Sequence, residues 1–225
     1  MNTNLVLMGT RNRPHNAVRA FAQLKEVSVE SDFLMIINED QAELYPDIDG
    51  VMKEIVPSDL GSVGKGNYVV HKYWDDYQTF AGIDDDCMVT TPSWDALLSA
   101  PIKERGFGVS YGNDTIQGEI LPTKVMISTN IVKALGFFAP PVLKHLYADN
   151  FWKAMGQDLG ALKYFPDVLV EHWHHINGKA PMDENYSTIY GPGENDAAYE
   201  AFNKYMNEQF RADMDRVNAA VLGRK

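Results

Sequence analysis

Short apolar runs of strand length constrain the fold of this chain more than any other feature of its sequence. The first half contains four of them, at residues 5–8, 33–37, 51–56 and 79–83. After the first run, Pro14 opens a stretch whose apolar residues recur at helical spacing. Because short apolar strands that alternate with helices form parallel sheets with both faces covered, the sequence predicts an α/β fold.

The rest of the chain continues this mixed pattern. The glycine-rich segment 61–67 is typical of a turn, followed by a helix over 68–77. Further strands are predicted at 106–111, 124–128 and 168–174, and further helices after Pro92, at 130–135 and at 149–159. Beyond Gly193, apolar residues at helical spacing predict one long amphipathic helix. We therefore expect a main domain over residues 1–190, and a C-terminal helix over 191–225 that packs on it or forms a homodimer interface.

Composition excludes several classes of protein. The chain has 225 residues and is 45 % hydrophobic, which fits one globular domain, and no apolar run approaches the roughly 18 residues that would span a membrane. The lone Cys87 excludes an intrachain disulfide, and the start of the chain lacks the features of a signal peptide, so a cytoplasmic location is expected. The net charge of −11 argues against general binding to nucleic acid, although one local basic groove stays open.

Three aspartates, Asp84, Asp85 and Asp86, directly follow the fourth apolar run. Adjacent carboxylates repel one another and stay ionised together only if a cation compensates them. Ligands of parallel sheets bind at the carboxyl ends of strands, and residues two apart in an extended chain lie on the same side. Asp84 and Asp86 are therefore candidate ligands of one divalent cation, and a solvated acidic turn is the alternative interpretation.

Histidines cluster at the end of the last predicted strand, where three of the six in the chain stand at positions 172, 174 and 175. In a strand, His172 and His174 would project to one face. Carboxylates together with one imidazole suit Mn²⁺, and Mg²⁺ tolerates a similar site. The cluster favours a metal ligand, whereas a single buried histidine is more often a core residue.

Basic residues follow the first predicted strand. Arg11 and Arg13 stand beside the N-terminus of the first helix, where free backbone N–H groups and positive charge suit an anion. Lys65 in the glycine-rich segment could bind the same anion. Taken alone, each of these residues is equally consistent with a surface charge near a turn.

Together these motifs resemble a known type of protein. The segment 7–14 is similar to the start of GT-A nucleotide-diphospho-sugar transferases, and the three aspartates stand where that fold carries its DxD metal motif. Segments 111–123, 145–150 and 171–180 add to the match. The resemblance covers roughly residues 4–190 and points to glycosyltransferases common in bacteriophages and bacteria.

The resemblance implies a GT-A mixed sheet flanked by helices and a metal-dependent transfer of sugar from a nucleotide-sugar donor, with UDP-glucose as the default. Asp84 and Asp86 would hold Mn²⁺ or Mg²⁺ against the donor diphosphate, and His172 or His174 would complete the metal shell. The implied donor contacts are Thr10, Arg11, Arg13, Asn38, Asp40, Lys65, Asn67 and Asp85. Two departures stand out: three consecutive aspartates leave the register of the motif open by one, and Asn38 and Glu39 replace a more usual Asp pair.

The expected transfer needs a positive charge at the leaving group and, in an inverting enzyme, a negative charge at the acceptor. A cation stabilises the leaving nucleoside diphosphate, and an inverting enzyme needs a carboxylate that deprotonates the acceptor hydroxyl. Asp149 is the candidate base, with a helix N-cap as its alternative role and Asp114 and Glu119 as reserve candidates. A retaining mechanism stays open.

The acceptor is not encoded in any motif of the sequence. A modified bacteriophage DNA base, a virion protein and a glycan are all open, and no membrane partner is expected. Two other functions also stay open. One is a metal-dependent hydrolase that activates water with the same Asp/His cluster, and the other is a non-catalytic protein that binds nucleotide sugars.

Overall fold

The computed structural model describes residues 3–223. Its strands are β1 (Asn4–Thr10), β2 (Ser31–Asn38), β3 (Val51–Val56), β4 (Thr79–Gly82), β5 (Cys87–Val89), β6 (Val109–Asn113), β7 (Val125–Ser128) and β8 (Leu162–His172). Its α-helices are α1 (Pro14–Val27), α2 (Ser62–Tyr73), α3 (Trp94–Arg105), α4 (Thr129–Leu135), α5 (Ala148–Asp158), α6 (Glu184–Ile189), α7 (Glu194–Glu208) and α8 (Phe210–Leu222). Short 3₁₀ turns lie at Glu39–Leu44, Gly118–Ile120 and His175–Asn177.

The strands form one mixed sheet in the order β3-β2-β1-β4-β7-β6-β8-β5. The first four strands of this order are parallel, and β7 pairs antiparallel with both β4 and β6. Strand β8 pairs parallel with β6 and antiparallel with β5. The predicted mixed α/β sheet is therefore confirmed.

Glycine is required at one point of this sheet, where β6 meets β8. The register shifts between Gly112 and Asn113, and a Cβ at Gly112 would lie 2.4 Å from the carbonyl oxygen of Val168. No side chain fits so close to a backbone, so this irregularity needs glycine. The shifted register lies in the part of β8 that leads to His172.

Both faces of the sheet are buried, as the apolar runs predict. In β1, Leu5 and Leu7 join the core under α2, α4, α5 and α8, whereas Val6 and Met8 join the core under α1 and α3. Side chains of a strand alternate between its faces, so a strand covered by helices on both sides has to be apolar throughout. The parallel half of the sheet therefore lies between the two hydrophobic cores.

The glycine-rich segment is helical, and its prediction as a turn is wrong. Helix α2 begins at Ser62 and includes Gly64 and Gly66. A Cβ at Gly64 would lie 3.0 Å from Leu60, and one at Gly66 would lie 3.4 Å from Phe138. These glycines allow the helix to pack closely, although glycine costs about 1 kcal/mol in a helix interior relative to alanine.

The C-terminal segment forms two helices, so the prediction of one long helix is also wrong. A single helix over residues 194–222 would be about 43 Å long. The chain instead turns at Gln209, and the hydroxyl of Tyr205 donates to Asp213 across the turn at 2.5 Å. Met214 and Val217 of α8 are fully buried in the main core. The domain boundary at residue 190 and the homodimer stay predictions.

None of the helices within residues 3–223 is long and apolar enough to cross a membrane.

Candidate active site

A cavity of about 960 Å³ opens at the carboxyl ends of β1 and β4. Residues 84–86 follow β4 and line it, together with Arg11 and Arg13, which follow β1. The first turns of α5 and α7 also line it. This is the edge at which open parallel sheets bind their ligands.

Asp84 forms an ion pair with a lysine that the sequence did not single out. Its Oδ2 lies 2.5 Å from Nζ of Lys124, whose side chain is 6 % exposed, while the side chain of Asp84 is 45 % exposed. Burial opposes the charge of Lys124, but the attraction of Asp84 outweighs burial and raises the pKa of Lys124 well above its usual value. The same attraction holds the pKa of Asp84 below its usual value against burial. One oxygen of Asp84 is thus taken by the protein itself.

Asp86 is held from two sides. Its Oδ2 accepts hydrogen bonds from Nη1 of Arg13 at 2.9 Å and from the hydroxyl of Tyr186 at 2.7 Å, and its Oδ1 lies 3.3 Å from Nε2 of His172. Burial raises the pKa of Asp86, but the hydrogen bond with His172 and the charge of Lys124 outweigh burial and hold that pKa far below its usual range. Asp86 is therefore ionised, with Oδ1 directed at an imidazole.

The donor atoms of Asp86, Cys87 and His172 lie within 4.8 Å of one another. Ligands about 2.1 Å from a Mg²⁺-sized ion are about 3 Å apart when adjacent, so the 3.3 Å between Asp86 and His172 suits one ion. Burial raises the pKa of the Cys87 thiol well above its usual value, and a neutral thiol is a poor ligand. The carboxylate of Asp86 and the imidazole of His172 fit Mn²⁺ or Mg²⁺, whereas Asp84, the other predicted carboxylate ligand, is not in this group.

His174 lies next to His172 but has a different role in the backbone. Strand β8 ends at His172, two residues before the predicted end, and His174 caps the following 3₁₀ turn by accepting the N–H of Ile176 at Nδ1. The two imidazole rings are 5.0 Å apart. Burial lowers the pKa of His174 to about 4, so its ring is neutral near pH 7. Its Nδ1 is occupied, and only Nε2 stays open to a ligand.

Asp85 lines the cavity, and both Asp85 and Thr10 are buried. The hydroxyl of Thr10 donates to Oδ2 of Asp85 at 2.6 Å, and Nη1 of Arg13 lies 3.2 Å from Oδ1 of Asp85. Burial raises the pKa of Asp85 to about 7. Both carboxylate oxygens of Asp85 already have partners, and Arg13 binds Asp85 and Asp86 together.

The remaining basic candidates, Arg11 and Lys65, also line the cavity. Arg11 and Asp40 form a bidentate pair with N–O distances of 3.0 and 2.7 Å, and both side chains are 40 % exposed. Nζ of Lys65 donates to the carbonyl oxygen of Thr10 at 2.7 Å and has no ion pair within residues 3–223. Burial lowers the pKa of Lys65 to about 8.

Four predicted donor contacts, Thr10, Asn38, Asp40 and Asn67, are not part of the cavity wall. The amide of Asn38 donates to the carbonyl oxygens of Pro57 and Leu60. The amide of Asn67 donates to the carbonyl of Ala139 and accepts two backbone N–H groups. Both asparagines therefore stabilise loops beside the cavity.

Asp149 lines the cavity in the first turn of α5. The N-cap position belongs to Tyr147, so the interpretation of Asp149 as the N-cap is wrong. Oδ1 of Asp149 accepts the N–H of Asn150 at 2.9 Å, and burial raises the pKa of Asp149 above its usual value. A carboxylate with a raised pKa accepts a proton more readily.

The reserve candidates are less suited to proton transfer. Asp114 accepts three backbone N–H groups and the hydroxyl of Thr123, and these hydrogen bonds outweigh burial and lower its pKa. Glu119 is exposed and does not line the cavity. Asp114 thus orders the loop that leads to Lys124, and Asp149 is the better placed carboxylate.

Comparisons with known proteins identify the fold. No family model and no curated protein matches the sequence. A mannosyltransferase from Pyrobaculum calidifontis, in complex with GDP-Man and Mn²⁺, matches with a TM-score of 0.59 and 11 % identity over 98 % of this chain and 74 % of that one. Glucosyl-3-phosphoglycerate synthase from Mycobacterium tuberculosis, in complex with Mn²⁺ and UDP-Glc, matches with a TM-score of 0.61 and 12 % identity over 90 % and 80 %. The chain has a GT-A-like fold. The fold that the sequence resemblance implied is confirmed.

Three residues of this GT-A-like site were missed from the sequence. Lys124 could have been found from the sequence, because it directly precedes a buried strand, and a buried lysine needs a carboxylate partner. No feature of the sequence pointed to Tyr186 or Asp183. Tyr186 contacts Asp86, which is 100 residues away in the chain, and Asp183 binds Nε of Arg13, which is 170 residues away. The guanidinium of Arg13 also lies 4.4 Å from the centre of the Tyr186 ring. Helix α6 thereby closes one side of the site.

Proposed function

We propose that this protein transfers a sugar from a nucleotide-sugar donor to an acceptor hydroxyl, with Mn²⁺ or Mg²⁺ as its cofactor. The observation that carries the proposal is the ionised Asp86 facing His172 in the wall of a cavity of about 960 Å³. The GT-A-like fold supports it, because two structures of that fold contain a nucleotide sugar and Mn²⁺. A UDP-sugar is the default donor.

The metal ligands in this proposal are Oδ1 of Asp86 and Nε2 of His172, joined by the oxygen of Asp84 that Lys124 does not hold. When bound, the cation would neutralise the negative charge that gathers on the leaving nucleoside diphosphate. His174 is the alternative imidazole ligand through its Nε2. Arg13 and Tyr186 keep Oδ2 of Asp86 engaged and so orient Oδ1 toward the metal position.

The donor would lie along the exits of β1 and β2. Lys65 would place its ammonium near the diphosphate, and Arg11 with Asp40 would flank the nucleoside at the open side. Asp85, which accepts a hydrogen bond from Thr10, would hold the guanidinium of Arg13 in place. Asn38 and Asn67 would act through the loops they stabilise.

Asp149 would serve as the general base of an inverting transfer. Its carboxylate would take the proton of the acceptor hydroxyl while the acceptor oxygen forms a bond to the anomeric carbon. The bond between that carbon and the diphosphate oxygen would break, and its electron pair would leave with the nucleoside diphosphate. The raised pKa of Asp149 suits this role.

The experiment that tests the proposal measures UDP affinity by calorimetry with Mn²⁺ and with EDTA. We expect tighter binding with Mn²⁺, because a diphosphate next to residues 84–86 is otherwise repelled. Asp86→Asn and His172→Gln should abolish the Mn²⁺ dependence, while the matched control His174→Gln should keep most of it.

Equal affinities in Mn²⁺ and EDTA for the unmodified protein would refute the metal site. If His174→Gln loses the Mn²⁺ dependence and His172→Gln keeps it, then His174 is the metal ligand and His172 is not. Incubation with UDP-glucose, Mn²⁺ and acceptors then separates the two catalytic functions. Release of free glucose in excess over transfer to every acceptor would favour the hydrolase instead.

A further inference from the structure

One part of the cavity wall contains none of the residues that we propose to bind the donor. We call it the far wall and define it as Tyr147, Asn150, Tyr190, Glu194 and Asn195, all of which line the cavity. It joins the start of α5, where Asp149 stands, to the start of α7. Helix α7 lies beyond residue 190, where the sequence resemblance to GT-A transferases ends.

The far wall carries negative charge. Among the arginines and lysines that line the cavity in the described chain, Arg11, Arg13 and Lys124 each pair with carboxylates. Only Lys65, near β1, and the exposed Lys144 do not. Glu194 and the proposed base Asp149 face this region without an arginine partner. A phosphate group here would be repelled and would find no guanidinium fork to bind it.

The far wall is otherwise aromatic and amide-rich. Tyr190 is 48 % exposed, and Tyr147 is fixed because its ring stacks on Phe202 at 5.4 Å with an interplanar angle of 20°. The hydroxyl of Tyr147 donates to Oδ1 of Asn195 at 3.2 Å, which leaves the NH₂ of that amide to donate outward. Aromatic rings pack on the apolar C–H faces of sugar rings, and amides and carboxylates bind hydroxyl groups.

The backbone of Tyr147 is strained in a way that fits a binding role. It has φ 69°, a left-handed conformation that a bulky residue rarely adopts. Such strain persists where the surrounding structure imposes it, and it concentrates at ligand sites. Here it fixes the aromatic ring two residues before Asp149.

We propose that the acceptor is an uncharged carbohydrate, bound at the far wall between α5 and α7 with one hydroxyl presented to Asp149. This inference rests on the proposed transferase function. It selects a glycan over acceptors that carry phosphate, such as DNA or a phosphorylated small molecule.

The test compares acceptors with UDP-glucose and GDP-mannose as donors in Mn²⁺. Maltotriose and cellotriose serve as neutral acceptors, and glucose 6-phosphate, 3-phosphoglycerate and duplex DNA serve as phosphate-bearing ones. We expect kcat/KM for the better neutral acceptor to exceed that of every phosphate-bearing one by at least about tenfold, the effect of roughly 1.4 kcal/mol of charge repulsion. Saturation-transfer NMR with UDP and Mg²⁺ reports acceptor binding without turnover.

Two variants make the test specific to the far wall. Tyr190→Ala should raise KM for the neutral acceptor at least about fivefold, and Tyr68→Ala is its matched control, because Tyr68 is 53 % exposed and lies outside the cavity. Glu194→Lys should shift the preference toward glucose 6-phosphate by reversing one charge of the far wall.

Each outcome separates this inference from the function on which it rests. Preferred transfer to glucose 6-phosphate, 3-phosphoglycerate or DNA would overturn the inference and leave a transferase. Metal-dependent UDP binding without binding or glycosylation of either neutral trisaccharide would also overturn it. If UDP binding does not depend on a divalent metal, the proposed function fails, and the inference fails with it.

Discussion

The ion pair of Asp84 and Lys124 can be broken by replacing either residue, and the two replacements should reduce the free energy of unfolding by different amounts. The two partners differ in exposure: 6 % of the Lys124 side chain and 45 % of the Asp84 side chain are accessible to water. Asp84→Asn leaves a buried ammonium without its partner, whereas Lys124→Met leaves a carboxylate that water still reaches. We therefore expect Asp84→Asn to destabilise the protein more than Lys124→Met.

The magnitudes follow from this difference. Removing one partner of a buried pair costs about 3–5 kcal/mol, which applies to Asp84→Asn. The half-exposed carboxylate left by Lys124→Met costs about 1–2 kcal/mol. Because unfolding entropy scales with chain length and amounts to about 0.5 kcal/mol per degree at this size, the Tm should fall by about 6–10 °C and 2–4 °C respectively.

The pH dependence has a definite sign. In the unmodified protein, the pKa of Lys124 is raised above its unfolded value of about 10.4, so its stabilisation is present below pH 10 and is lost as pH rises through the folded pKa. In Asp84→Asn the strongest attraction is lost while burial remains, so we expect the pKa of Lys124 to fall below its unfolded value although Asp86 still attracts it. The unfolded state then binds more protons than the folded state, and stability increases as pH rises from 7 to 9.5.

The assay is thermal unfolding in low salt with EDTA, at pH 7 and 9.5, for both single variants and the double variant. The double variant should be more stable than the sum of the single losses predicts, because it leaves no unpaired charge. A Lys124→Met loss equal to or larger than that of Asp84→Asn would refute the reasoning. Strictly additive losses would show that the two groups do not interact.

Two further predictions concern catalysis. Asp149→Asn keeps an oxygen for the N–H of Asn150, so Tm and donor affinity should hold while the initial rate of transfer falls about a hundredfold to ten-thousandfold; near-normal transfer would remove Asp149 from the mechanism. Burial lowers the pKa of Lys65 to about 8, so Lys65 loses its charge above pH 8 and kcat/KM for the donor should fall above that pH. Lys65→Arg keeps its charge and should show no such fall. The same fall in both proteins would show that another group titrates.

The fold could be predicted from the sequence where one physical requirement dominates. Strands buried on both faces have to be apolar throughout, and β1, β2 and β4 largely follow that rule, whereas the edge strand β3 carries Lys53 and Glu54. The pattern failed at the glycine-rich segment 61–67, because glycine marks close packing as well as turns. It failed again at Gln209, because helical spacing continues through a turn when both helices pack on the same core.

The candidate site was predictable only in part, for a related reason. The resemblance implied that residues 84–86, Arg11 and Arg13 act on one donor, and the sheet brings them together because β1 and β4 are neighbouring parallel strands. The partners that determine their charge states come from distant loops. Lys124 precedes β7, and Tyr186 lies on a short helix whose position depends on tertiary contacts. Spacing along the chain carries no information about such contacts.

Arg13 shows how these distant contacts change a residue's role. The sequence resemblance implies that it binds the donor, yet its Nη1 and Nε already bind Asp85, Asp86 and Asp183. Only Nη2 is without a hydrogen-bond partner among the described residues, and that atom is buried. Because three carboxylates and the Tyr186 ring hold the guanidinium, its first effect is on Asp86. It keeps Oδ2 occupied, and Oδ1 can then face only His172 and the thiol of Cys87. The orientation of the proposed metal ligand therefore depends on an arginine supplied by the exit of β1.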